Sequence, residues 1–187
     1  MTEQSPFAKS RFARFPDDNY QTIDERCTQA VIETFDFDLM RDHCCVDPCA
    51  PNGSGIIDTL KKFGYSNSVY HGELFDDRTY KNEVIVTNPP YKRGLIGPIM
   101  RELIAKVERR GAVALFVLMR TGFDHGRVYA DMFDHSYYSG QLKLRFRPWW
   151  SEDHSMAPLH NFVWHVWAKN WKEPNIWYWP KGRKGDK

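Results

Sequence analysis

A chain of 187 residues, 42% apolar and 27% charged, has material for one well-filled core and too little for two. That balance excludes a disordered polymer, and no apolar run approaches the roughly 18 to 20 residues of a membrane span. A net charge of +2 does not by itself announce a nucleic-acid binder, and MTEQSPFAKSRFARF at the start has no signal-type apolar region, so a cytoplasmic setting with no membrane partner is expected.

Residues 1–18 lack periodicity and are expected to form an arm before a domain at 19–171, with 172–187 as a tail. From about Thr22 to Asp38, Cys27, Ala30, Val31 and Phe35 fit a helix that Thr22 or Asp24 can cap. CCVDPCAPNGSG (44–55) begins as a short buried strand and ends in a Pro, Asn and Gly loop. IIDTLKKFGY predicts a helix stopped at Gly64. SVYHGEL (68–74) and EVIVT (83–87) predict the second and third strands.

Pro98 opens a further helix with Met100, Leu103, Ile104 and Val107 on its apolar face and Gly111 as its stop. AVALFVLM (112–119) is apolar throughout, as in a strand covered on both faces. QLKLRFR (141–147) and NFVWHVWAK (161–169) alternate and follow each other with no obvious helix between, which predicts an antiparallel pair. The fold class expected is α/β: a mostly parallel sheet with flanking crossover helices, closed by that C-terminal pair.

Cys27, Cys44, Cys45 and Cys49 lie near His43 but show no CxxC and no second ligand pair, so reduced thiols and no metal are expected. Basic clusters at Lys9, Arg11 and Arg14 and at Lys181, Arg183 and Lys184 read as solvated ends. All seven tryptophans fall after residue 146, which points to either packing or a stacking surface there.

Two loops stand at strand ends, where open parallel sheets bind ligands. In DPCAPNGSG, Asp47 offers a carboxylate at the strand tip, and Gly53 and Gly55 allow close backbone approach before the helix near Ile56. In VIVTNPPYKRG (84–94) two consecutive prolines end a β-prone run, since proline cannot donate within a ladder. The tip presents the Asn88 amide, the Pro89 carbonyl, the stiff Pro90 and the Tyr91 ring. Two acceptors beside an aromatic plane suit a flat group with an exocyclic amine; a rigid strand terminator is the plainer alternative.

TNPPY (87–91) matches the catalytic motif of S-adenosylmethionine-dependent amino-methyltransferases, and DPCAPNGSG resembles their cofactor loop. NYQTID (19–24), RFRPWW and FVWHVWAK are similar to elements of the small adenine methyltransferases of phages and prophages. The resemblance covers roughly residues 19 to 169, in order, and implies a Rossmann-like methyltransferase fold. It implies a catalytic set of Asn88, Pro89, Pro90 and Tyr91, with S-adenosylmethionine as cofactor. It places that cofactor against Asp47, Pro48, Cys49, Ala50, Gly53 and Gly55, with Tyr20 and Thr22 from the N-terminal side. Glu73 matches the acidic residue that accepts from the ribose hydroxyls, and Asp76 and Asp77 compete for that role.

The implied reaction is direct methyl transfer to adenine in DNA, with the base rotated out of its stack and Lys92, Arg93, Arg145 and Arg147 available to phosphates. Arg120 is expected only as a rim cation. The same tip also serves RNA bases and protein glutamine in this superfamily, and a catalytically silent nucleic-acid-binding fold is a further alternative. Departures are Pro51 and Asn52, inserted before Gly53, and the short stretch between Glu73 and the NPPY strand. No oligomeric state follows from the sequence.

Overall fold

The computed structural model describes residues 22–50, 53–70, 74–92, 94–150, 160–171 and 174–180. Its core is one seven-stranded sheet in the order β2-β1-β3-β4-β6-β5-β7. The strands are β1 (Cys44–Asp47), β2 (Val69–Tyr70), β3 (Glu83–Thr87), β4 (Ala114–Arg120), β5 (Tyr138–Leu144), β6 (Phe162–Ala168) and β7 (Asn175–Trp179). β2, β1, β3 and β4 are mutually parallel, and β6 runs antiparallel to both β4 and β5. The expected fold class therefore holds.

Helices α1 (Glu25–Phe35) and α2 (Gly55–Lys62) cover one face, and α3 (Ile96–Arg109) and the short α4 (Ala130–Phe133) the other. Asp24 is the cap that starts α1, its side chain accepting from Arg26 N at 3.2 Å. The helix stops at Phe35 and passes into a π-helical turn, Asp36–Met40, short of the expected Asp38. α3 starts two residues before Pro98, which is tolerated because the first turn's N–H groups have no helical partner. Gly111, at φ 88°, follows its end. Among the described residues no helix is long and apolar enough to cross a membrane.

Three indoles staple the helices to the sheet. Trp164 donates to Cys27 O of α1 at 2.9 Å, Trp167 to Met132 O of α4 at 3.0 Å, and Trp179 to Glu33 of α1 at 2.7 Å. Much of the late aromatic cluster is thus packing rather than a stacking surface. The last of these belongs to an unexpected strand: β7 adds in parallel to β5, inside the segment expected to be a tail. Gly140, at φ 121°, makes this possible, since a Cβ there would lie 1.9 Å from Asn175 O. Of the expected second strand at 68–74, the described residues show Val69 and Tyr70, both exposed at the sheet edge, while 71–73 lie outside the described residues.

β6 also carries His165, fully buried, 2.9 Å from Tyr138 Oη and packed on Phe133, with Nε2 unpartnered. Burial holds its proton affinity well below the ordinary 6.5, against a weaker pull from Asp124. The unfolded chain then takes up a proton that the folded chain refuses. Stability is therefore full above pH 6.5 and falls as pH drops below it, at up to about 1.4 kcal/mol per pH unit. Urea titrations at a series of pH values should show this slope, and His165→Phe should flatten it; an unchanged slope would assign the acid sensitivity elsewhere.

Candidate active site

Chain order reverses beside β1: β2 lies on one side and β3 on the other. A crevice opens at such a point beyond the carboxyl ends of the strands, and both expected loops meet there. Asp47 ends β1, is 4% exposed, and binds the two loops together. Its Oδ1 accepts from Thr87 Oγ1 at 2.6 Å and from Cys49 N at 3.1 Å, and its Oδ2 from Ser54 Oγ at 2.6 Å. Ser54 Oγ in turn accepts from Ile57 N at 3.2 Å and caps α2. Burial raises the proton affinity of Asp47, and the three donors oppose that. Neither Ser54 nor Thr87 was singled out in the sequence: the Thr87 contact forms across 40 residues, and the Ser54 contact depends on how the loop folds back over seven residues.

The two glycines differ in what they permit. Gly53, at φ 120°, has open space where a side chain would stand, whereas a Cβ on Gly55 would sit 2.3 Å from Thr22 O. The backbone that approaches Gly55 is therefore the chain's own, and it brings buried Thr22 against the start of α2. Tyr20, Pro51, Asn52, Glu73 and Arg93 lie outside the described residues. Ala50 is half-buried in the loop.

A cleft of about 490 Å³ opens between these loops, lined by Pro48, Cys49, Leu74, Phe75, Asp76, Pro90, Leu95 and Ile99. Pro48, Cys49 and Pro90 of the expected set are thus brought together. The apolar walls from the 74–76 loop and α3 were not foreseen; Phe75, 62% exposed, had no periodicity to mark it. Asp76 is held from below by Lys106 of α3, which is fully buried. The ammonium lies 3.0 Å from Asp76 O, 3.3 Å from Asp76 Oδ1 and 3.0 Å from Glu102 Oε1. Asp77 points away, paired with Arg110 at 2.9 Å.

Asn88 and Pro89 are buried at the carboxyl end of β3. Tyr91 Oη lies 2.8 Å from Asn88 Oδ1 and also against the carbonyl of Leu118 on β4. One phenolic proton serves one of these acceptors at a time. The Tyr91 ring meets Phe162 edge-on at 6.3 Å, and burial holds the phenol firmly protonated. Lys92, Arg145 and Arg147 are exposed. The Arg145 guanidinium lies 4.8 Å from the Tyr178 ring centre, and Arg147 donates to Asn161 Oδ1 at 3.0 Å.

This architecture, with a crevice at β1 and β3, is a Rossmann-like fold also seen in solved methyltransferase structures. Among the solved structures that share it are two examples. One is a candidate class I S-adenosylmethionine-dependent methyltransferase from Listeria monocytogenes (TM-score 0.54, 12% identity, 85% of this chain and 65% of that one). The other is the type I restriction-modification system methyltransferase subunit from Streptococcus thermophilus (TM-score 0.51, 9% identity, 86% of this chain and 46% of that one). The chain thus spans about two thirds and about half of their lengths. No family model matches the chain, and no curated protein does.

Proposed function

We propose that the chain transfers a methyl group from S-adenosylmethionine to the exocyclic amine of adenine in DNA. The observation that carries this reading is the rigid Asn88–Pro89 acceptor pair, held at the end of β3 beside an apolar cleft of about 490 Å³. Such a volume lies in the usual range for small-molecule sites. Proline and leucine walls with one carboxylate suit a flat nucleoside with a polar edge, so the residues present fit the cofactor. Pro48, Cys49, Phe75, Asp76 and Pro90 would hold it, with Thr22, Ala50 and the turn at Gly53 and Gly55 flanking the loop; it supplies an electrophilic sulfonium methyl.

The protein's part is alignment and charge placement. Asn88 Oδ1 and the Pro89 carbonyl accept the two N–H bonds of the amine and concentrate its lone pair toward the methyl. Tyr91 gives the base a plane to stack on. Tyr91 Oη lies within reach of both Asn88 Oδ1 and Leu118 O, and its single proton must turn to Leu118 O for Asn88 Oδ1 to take the amine. Asp47 acts through Ser54 and Thr87, fixing the loops. Lys92, Arg145 and Arg147 face solvent where phosphates can reach them, which agrees with a nucleic-acid substrate.

Calorimetric titration with S-adenosylmethionine tests the first half of the reading, and binding heat is expected. Its absence would leave a methyltransferase fold used only for binding nucleic acid. A labelled-methyl assay on separate DNA, RNA and protein pools tests the second half, and label is expected in DNA adenine. Label confined to RNA or to glutamine would replace the substrate while keeping the chemistry.

A further inference from the structure

Arg120 ends β4, the strand whose Leu118 carbonyl meets Tyr91. β4 continues three residues past its last pairing with β3, at Thr87↔Val117, so its tip rises alongside Asn88. The guanidinium lies 5.5 Å from the Tyr91 ring centre. Its Nε is buried without a hydrogen-bond partner, and no acid pairs with it among the described residues. A buried donor left unmet is costly, so this position calls for an acceptor, and the guanidinium's charge favours an anion.

A second cation stands close by. Arg120 pairs across the sheet with Phe162, and Thr121 N donates to Asn161 O at 3.1 Å. Arg147 binds the side chain of that same Asn161. His160, next in the chain, has its proton affinity lowered first by burial and then by Arg120 and Arg147. Two guanidinium groups therefore act on one corner beside the NPPY tip. The corner is lined by Phe162 and by Trp150, whose rings are 4.8 Å apart.

We infer that Arg120, with Arg147 beside it, binds a backbone phosphate of the DNA strand whose base enters at Asn88 and Tyr91. The inference rests on the proposed function and narrows it, since a glutamine side chain would bring no such anion. Arg120 is then a binding residue that favours a nucleic acid over a protein amide.

The test is fluorescence-anisotropy titration of a labelled, adenine-containing DNA strand of about 20 nucleotides between about 0.05 and 0.2 M salt. Arg120→Gln should weaken binding about 5- to 10-fold and lower the slope of log affinity against log salt by about 0.7, one phosphate's share on a single strand. Arg120→Lys should restore the slope. Arg101→Gln, which breaks an exposed pair with Asp131, should leave it unchanged. S-adenosylhomocysteine affinity should be equal in all four proteins. An unchanged slope in Arg120→Gln overturns the inference, as does an equal fall in Arg101→Gln. A parallel loss of S-adenosylhomocysteine affinity overturns it too, because Arg120 would then be shaping the tip. A wild-type protein that binds the cofactor product but not the strand sinks the inference alone; one that binds no cofactor product sinks the reading beneath it.

Discussion

Alanine in place of Asn88 should slow single-turnover methyl transfer by about 10²- to 10³-fold or more, the scale of losing one preorganised group that acts on charge as it develops. The dissociation constant for S-adenosylhomocysteine should stay within about twofold, because in the proposed reaction the amide serves the amine and does not line the cofactor cleft. The cleft walls come from Pro48, Cys49 and Pro90 together with the 74–76 loop and α3, and Asn88 is not among them. The fold should also survive. Tyr91 loses one of two acceptors and keeps the Leu118 carbonyl, so the phenol stays satisfied. Rapid-quench transfer, calorimetry and a thermal melt separate these effects. Equal loss of transfer and of cofactor affinity would make Asn88 a structural residue, and the NPPY tip would then be a strand terminator.

Where the sequence could be read, burial made it readable. β3 and β4 lie between two helical layers, so EVIVT and ALFVLM are apolar with little interruption and stand out against their flanks. The helix at Pro98 showed its face through Met100, Leu103, Ile104 and Val107, all buried as expected. The same periodicity concealed Lys106, whose ammonium crosses under the cleft to Asp76. A lysine within an amphipathic pattern reads as solvent-facing until the loop it holds is in place. β7 was missed for a related reason. Its pairing depends on Gly140 having no side chain, and NIWYW shows neither turn chemistry nor clean alternation of its own. The two loops were legible as motifs, and both reach the same crevice. What tied them together was not legible, because Asp47, Ser54 and Thr87 belong to one network only after the strands have paired.

That network sets the second large effect: Asp47→Ala should destabilise the fold by about 3–5 kcal/mol, a large part of the 5–15 kcal/mol that holds a typical domain together. Three donors lose their acceptor in one step. The hydroxyls of Ser54 and Thr87 can turn, but Cys49 N–H is fixed by the backbone and loses its acceptor outright. Asp47→Asn should cost far less, because the amide keeps an oxygen for Cys49 N and removes a charge that burial disfavours. The sign of that penalty can be checked. Burial raises the folded carboxyl's proton affinity above 3.8, so this group's contribution weakens as pH rises above that value, and Asp47→Asn should erase the slope. Urea denaturation gives both stabilities, and calorimetry with S-adenosylhomocysteine gives the consequence for binding. Asp47→Ala should lose cofactor affinity along with the loop, while Asp47→Asn should keep it to within a few-fold. Normal stability in Asp47→Ala would mean that the loops hold without this clasp. Lost affinity at unchanged stability in Asp47→Asn would mean that the cofactor itself takes the charge of the carboxylate.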